Sequence, residues 1–181
     1  MDAKDLTDRE LLVLGLVAEM PRHGYELEQV IQQRGMRQWT EIGFSSIYYV
    51  LGKLEAWGLI EAETPATAKS KKKYTITGMG THNLVDQTLA AIQEVRPTHP
   101  SILLGMLHWP VLSREDALSA LGSRMKAVAK ELARLEDIQF EQQPLPDYVD
   151  AMFDFSIGQL KAEAGWIART LDYMRTKPWL E

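Results

Sequence analysis

The chain has 181 residues, 45% of them hydrophobic, which is enough to bury a core and more than disordered segments carry. Cysteine is absent, excluding disulfides, thiolate metal sites and a cysteine nucleophile. The formal net charge is −5, divided as −3 over residues 1–95 (10 basic against 13 acidic) and −2 over residues 96–181 (10 against 12), so neither half is basic and any affinity for nucleic acid must come from local placement.

No apolar run is long enough to span a bilayer and no charged-then-apolar leader opens the chain, so a soluble, cytoplasmic protein is expected. Thr7 followed by Glu10 is a capping-box pattern, and the nearly unbroken apolar stretch from Leu11 to Val17 predicts a core helix from about Asp8 to Glu19, stopped by Pro21. After His23-Gly24-Tyr25, the helical spacing of Leu27, Val30 and Ile31 predicts a second helix ending at Gly35. Phe44, Ile47, Leu51 and Leu54 mark a third, with Ser45 as the expected N-cap and Gly58 just past its end.

Beyond Gly58 the period changes from helical to alternating. Leu59–Thr64 and Lys73–Thr77 read as paired strands around a hairpin tip, Pro65–Lys72, that is rich in lysine. A fourth helix is predicted from about Gly78 to Val95. Pro97 and Pro100 place a boundary between a domain of residues 1–96 and one of residues 97–181.

In the second domain an apolar stretch, Ile102–Trp109, stops at Pro110. Ser113, with Asp116 three places on, starts a helix whose Leu118, Leu121, Met125, Val128, Leu132 and Leu135 alternate three and four apart, a seam of roughly two and a half heptads. Pro144 and Pro146 end it. Asp147 is the expected cap of a last helix, where Val149, Phe153, Ser156, Leu160, Ile167, Leu171 and Met174 form a similar stripe.

The order helix, helix, helix, strand, strand is that of a winged helix-turn-helix, so the fold expected is mainly α with a small β-hairpin, followed by a helical domain. In that fold the third helix enters the major groove and the hairpin reaches phosphates or the minor groove. With Ile47, Leu51 and Leu54 facing the core, Ser45, Ser46, Tyr49 and Lys53 project outward, with Tyr48 on one flank; Tyr48 and Tyr49 can alternatively serve as half-buried packing residues. Lys69, Lys71, Lys72 and Lys73 sit on the wing. A lysine run elsewhere is usually a solvated loop, but at a hairpin tip after such a helix it points to DNA, and screening within ~8 Å lets it outweigh a distant acidic background.

The stretch from Leu11 to Thr77 resembles the PadR family of bacterial regulators. The residues that carry this are His23-Gly24-Tyr25-Glu26-Leu27, Ser45-Ser46-Ile47-Tyr48-Tyr49-Val50-Leu51, Leu54-Glu55-Ala56-Trp57-Gly58-Leu59-Ile60 and Lys73-Tyr74-Thr75-Ile76-Thr77. The helices after Pro97 are similar in length and pattern to the C-terminal domain of the family's longer members. The resemblance implies a homodimeric repressor that binds a two-fold operator and leaves it when a small molecule binds, with Tyr25, Tyr48 and their neighbours at the DNA. One departure is that the family's wing often carries Gly-Arg before the second strand, whereas this chain has Lys69-Ser70-Lys71-Lys72. Charge is kept, but the bidentate fork of arginine is lost, so this wing is expected to position without specifying sequence.

The two seams need partners. They can pack on each other within one chain, but pairing across two copies, which would space two reading heads along a two-fold site, is the preferred reading. On the second arrangement, Leu118, Leu121, Met125, Val128, Leu132, Leu135, Leu160, Ile167 and Leu171 are the dimerisation residues. Trp109, Phe155 and Trp166 are candidates for a small-molecule effector pocket, or simply core aromatics. The four histidines lack metal-ligand spacing, and neither a nucleophile elbow nor a phosphate-binding glycine loop occurs, so neither catalysis, a metal nor a cofactor is expected. The acidic balance leaves a protein-interaction module as the alternative reading of the winged helix.

Overall fold

A computed structural model describes residues 4–63 and 72–177, apart from the side chain of Gln38. By its internal contacts the chain divides into a unit of residues 1–96 and a unit of residues 97–181.

In the first unit, α1 (Asp8–Glu19) starts where the Glu10 carboxylate takes the Thr7 backbone N–H at 2.8 Å, the capping box anticipated from its sequence. Strand β1 (Arg22–His23) leads directly into α2 (Gly24–Gln33), and α3 (Phe44–Ala56) follows a loop that contains one 3-10 turn, Met36–Gln38. Strands β2 (Ile60–Ala62) and β3 (Lys73–Ile76) form the hairpin, and α4 spans Gly78–Gln93. Among the described residues the sheet has three strands in the order β1-β3-β2, all antiparallel, with Arg22 opposite Tyr74 and Ile60 opposite Ile76. The strand β1 is absent from the sequence reading: two residues carry no alternation, and Arg22 looks like a surface residue. It is instead buried, its Nε donating to the Leu16 carbonyl at 3.0 Å and its guanidinium reaching Glu19 at 2.8 Å.

The core of this unit joins Val13, Leu14, Leu16 and Val17 of α1 to Leu27 and Ile31 of α2, to Ile47, Val50, Leu51 and Leu54 of α3, and to Leu59, Ile60 and Tyr74 around the sheet. Two expectations are corrected at α3. Its N-cap is Gly43, not Ser45, which lies inside the first turn; and Phe44, expected on the core stripe, is exposed. The helix begins two residues earlier than the capping signal suggested and overshoots the core at that end. Gly58, at φ 70, closes α3 in the left-handed conformation that glycine adopts without strain.

In the second unit, α5 (Ser101–Leu107) and a 3-10 turn precede two long helices, α6 (Arg114–Glu141) and α7 (Asp147–Thr176). The Ser113 side chain accepts the Asp116 N–H as the cap of α6, as its pattern suggested; α7 is instead preceded by Pro146, with Asp147 as its first helical residue. The two run antiparallel: Arg114 donates to the Met174 and Arg175 carbonyls, Arg124 pairs with Glu163 at 2.5 Å, Lys161 with Glu136 at 2.8 Å, and Gln139 with Asp150 at 2.8 Å. Ala117, Leu121 and Val128 of α6 pack with Ile167 and Met174 of α7, flanked by Leu118, Met125, Leu160 and Leu171. The seams thus meet within one chain, which corrects the expectation that Leu118, Leu121, Met125, Val128, Leu160, Ile167 and Leu171 face a second copy: a short turn brings the two stripes together before any other molecule is needed. Among the described residues no helix is long and apolar enough to cross a membrane.

The seat of α4 depends on one close approach. Thr77 donates its hydroxyl to the Gly58 carbonyl at 2.7 Å and accepts the Gly80 N–H at 3.0 Å, which draws the first turn of α4 onto the start of β2. A Cβ on Gly80 would stand 1.9 Å from the Leu59 carbonyl oxygen and 2.8 Å from Ile76 Cγ1. Because the first obstacle is backbone, no rotamer change relieves it. Gly80→Ala is therefore expected to destabilise the protein by about 1–3 kcal/mol, the usual cost of overpacking, read as a lower urea midpoint; an unchanged midpoint would contradict the tight seat.

Candidate nucleic-acid interface

The outward side of α3 is built by its own period: four buried residues hold one face, so the positions between them must face solvent. Ser45 is exposed, Ser46 half-buried, and Tyr48 and Tyr49 are 46% and 72% exposed. Phe44 packs edge-on against Tyr48, ring centroids 5.5 Å apart. Tyr25, at the start of α2, is half-buried and stacks on His23 with centroids 5.5 Å apart and planes within 11°.

Tyr25, Tyr48, Tyr74 and Lys72 line one cleft with Gly24. Gly24 is needed for this: a Cβ there would lie 2.6 Å from Tyr48 Cε1, so the ring rests directly on the α2 backbone. His23 Nδ1 is 2.9 Å from the Lys72 carbonyl oxygen and donates to it, tying the descending arm of the wing to the start of α2. Burial pushes the Tyr74 hydroxyl pKa up, keeping it a neutral donor beneath this cleft.

The expected cations separate into different roles. Lys53 turns back into the protein, 2.5 Å from Glu10 Oε1 and 4.5 Å from the centre of the Trp57 ring. Its bond to Glu10 raises its pKa, and its charge is spent inside the unit, so it is a positioning residue and not part of the exposed reading face. Lys72 is exposed and meets Glu55 through two contacts of 3.2 Å, a surface pair of the kind worth little and easily exchanged. Lys73 is half-buried in β3. Lys69 and Lys71 lie outside the described residues.

Two aromatic residues stand at this surface that the sequence reading does not place there: Phe44, whose spacing predicts a core position, and Trp39, in the loop before α3, which is 55% exposed and lines a second cleft with Ser46, Tyr49 and Lys53. A bulky apolar residue in a loop carries no periodicity, so no pattern pointed to it. In the second unit, Trp109 and Trp166 are half-buried against the α6–α7 core, whereas Phe155 is exposed and does not join them in that cluster. The three effector candidates are not brought together there.

Residues 13–86 match the Transcriptional regulator PadR-like family. In fold the chain is similar to Bacillus subtilis PadR in complex with operator DNA, at 21% identity, TM-score 0.74, covering 91% of this chain and 98% of that one. It is similar to the same protein in complex with p-coumaric acid, at 21% identity, TM-score 0.76, covering 92% and 98%. The Vibrio cholerae virulence activator AphA matches at 15% identity, TM-score 0.70, covering 93% and 98%. Among curated proteins none matches the sequence.

The Glu10–Lys53 pair makes a prediction of its own. Glu10 is only 3% exposed. Burial alone would raise its carboxyl pKa, but the Lys53 bond and the bonds to Thr7 more than offset this and hold it below the ordinary 4.5. A carboxyl with a depressed folded-state pKa contributes stability that is present above pH 4.5 and is lost as the pH falls below it toward the folded value. Lys53→Ala, which leaves this buried carboxylate without its cation, should cost about 1–3 kcal/mol at neutral pH, and Glu10→Gln should flatten the acid limb of the stability curve. Chemical denaturation between about pH 3 and about pH 7, a span that brackets the carboxylate range, measures both; an acid limb identical in Glu10→Gln and the parent would contradict the assignment.

Proposed function

We propose that this chain, whose residues 13–86 match the PadR-like family of transcriptional regulators, is a sequence-specific DNA-binding repressor, acting as a homodimer on a two-fold operator and released by a small aromatic or other hydrophobic effector. The observation that carries the reading is the exposed face of α3, where Ser45, Tyr48 and Tyr49 stand outward beside the root of the wing.

Chemically this face is neutral. Hydroxyls and phenols bond phosphate oxygens and base edges, and the aromatic rings offer apolar contact to the thymine methyl. The electrostatic part of the affinity is left to the wing, where Lys72 needs only to exchange Glu55 for a phosphate. Repression is the output such a head gives by occupancy alone, since a bound operator excludes other proteins. The effector class rests on the p-coumaric acid bound to the Bacillus subtilis protein, and Trp109 and Trp166 are the residues of this chain suited to hold a planar, apolar group. Dimerisation follows from the two-fold operator, which calls for two heads.

Titration of a promoter duplex at several salt concentrations tests the reading. Affinity should fall steeply as salt rises, and Lys72→Ala should reduce the slope of log K against log salt by about 0.9, one phosphate contact. Tyr49→Ala should cost about 1–3 kcal/mol on the cognate site and little on random duplex. A protein-interaction module with the same fold would bind no duplex above background at low salt, an outcome that removes the proposal.

A further inference from the structure

Helix α3 has a cleft on each flank, and the wing accounts for one of them. Ser45, Tyr49, Gly52 and Ala56 recur at steps of four, three and four, and all are exposed, so they form the outward ridge of the helix. At about 3.6 residues per turn, Tyr48 falls on one side of this ridge, and Ser46 and Lys53 fall on the other. The Tyr48 side is the cleft that Lys72 lines from the wing. The Ser46 side is the second cleft, walled by Trp39 and Glu41 of the loop before α3 and by Arg9 from the first turn of α1.

The two clefts share one electrostatic arrangement, a cation loosely held by an exposed acid. Lys72 meets Glu55 at 3.2 Å. Arg9 meets Glu41 at 3.7 Å, too far for a hydrogen bond, with 47% of the Arg9 side chain and 97% of the Glu41 side chain exposed. Such a pair is screened by salt and worth little, and Glu41 can swing into water without stranding a buried charge. The other carboxylates of the second cleft are engaged elsewhere: Asp8 receives Arg96 at 2.8 Å, and Glu10 receives Lys53. Arg9 is therefore the cation that a phosphate entering this cleft recruits at least cost, and the exposed ring of Trp39 lines the cleft with it as an apolar wall. A helix about 10–12 Å across fills a major groove about 12 Å wide, so one backbone strand runs along each of its flanks. A cation on the Tyr48 flank alone would leave the second strand ungripped.

We propose that the Arg9 cleft receives the DNA strand opposite the one that Lys72 reaches, with the Arg9 guanidinium on a phosphate and Trp39 against the adjoining sugar. This rests on the DNA contact of α3 put forward above and adds a second grip to it. Arginine suits the place, because its planar fork takes two oxygens of one phosphate where lysine offers a point charge. The contact positions the duplex without reading it, since phosphate and sugar carry no sequence information directly. With Arg9 on α1, Tyr49 on α3 and Lys72 on the wing, three elements of one unit then hold the helix in register across the groove.

The test titrates the full chain with a duplex of its own promoter and with a random duplex, each at several salt concentrations. Arg9→Ala should weaken both duplexes by a similar factor and reduce the slope of log K against log salt by about 0.9, or by about 1.8 when combined with Lys72→Ala. Arg9→Lys should keep the parent slope, Glu41→Gln should tighten binding, and Trp39→Ala should weaken binding with the slope unchanged. The urea midpoint of Arg9→Ala should match that of the parent, because its pair lies on the surface. Replacing single phosphates by neutral methylphosphonates then locates the contact. The replacement that weakens the parent but not Arg9→Ala should lie on the opposite strand from the one that weakens the parent but not Lys72→Ala. A parent-like salt slope in Arg9→Ala, or both replacements on one strand, overturns the proposal while duplex binding by α3 stands. Absence of duplex binding above background at low salt removes the reading of α3 itself, and this contact with it.

Discussion

The winged-helix unit depends on a buried carboxylate. Glu10 sits inside the first turn of α1, almost without solvent, and a charge so placed survives only if it is paired and hydrogen-bonded. Thr7 supplies one bond from its own helix, and Lys53 supplies the cation from α3. The same carboxylate therefore caps one helix and fixes another. The consequence reaches the outward face of α3: its lysine is consumed in holding that helix in place, which leaves hydroxyls and aromatic rings to face outward.

On the proposed reading, that division lets a chain with net charge −5 approach a phosphate backbone: attraction and readout would lie on different elements. Helix α3 is rigidly seated and neutral on its outward side, whereas Lys72 at the base of the wing is loosely paired with Glu55 on the C-terminal part of α3. A loosely held surface pair costs little to break, and its release lets the cation meet phosphate without a buried charge being stranded. Glu19 plays the structural counterpart: it receives Arg22 and Arg34 together, its carboxyl held below the ordinary range chiefly by the Arg34 bond, and ties the end of α1 to the end of α2.

Much of this architecture was legible in the sequence because its signals are local. The capping box at Thr7, the glycine at 58 and the change of period after it each act within a few residues, and each reads correctly. What escaped depends on partners distant in the chain. Arg22 is buried because Leu16 and Glu19 receive it and Tyr74 lies opposite, none of which two residues of strand can announce. Lys53 looks like a DNA contact by angle alone; only the approach of α1 reveals that its charge is already matched. Phe44 fits the core stripe by spacing, yet it stands one turn before the core begins.

The helical unit shows the same limit from the other side. A heptad stripe states that a helix wants a neighbour but not whether that neighbour is a segment of the same chain. The seam through Leu121 and Val128 is satisfied by Ile167 and Met174 of the same chain, the two helices joined by the short turn between Glu141 and Asp147, so no second molecule is needed. Once that hairpin forms, its inward stripe is spent, and any contact between copies must use what remains outside.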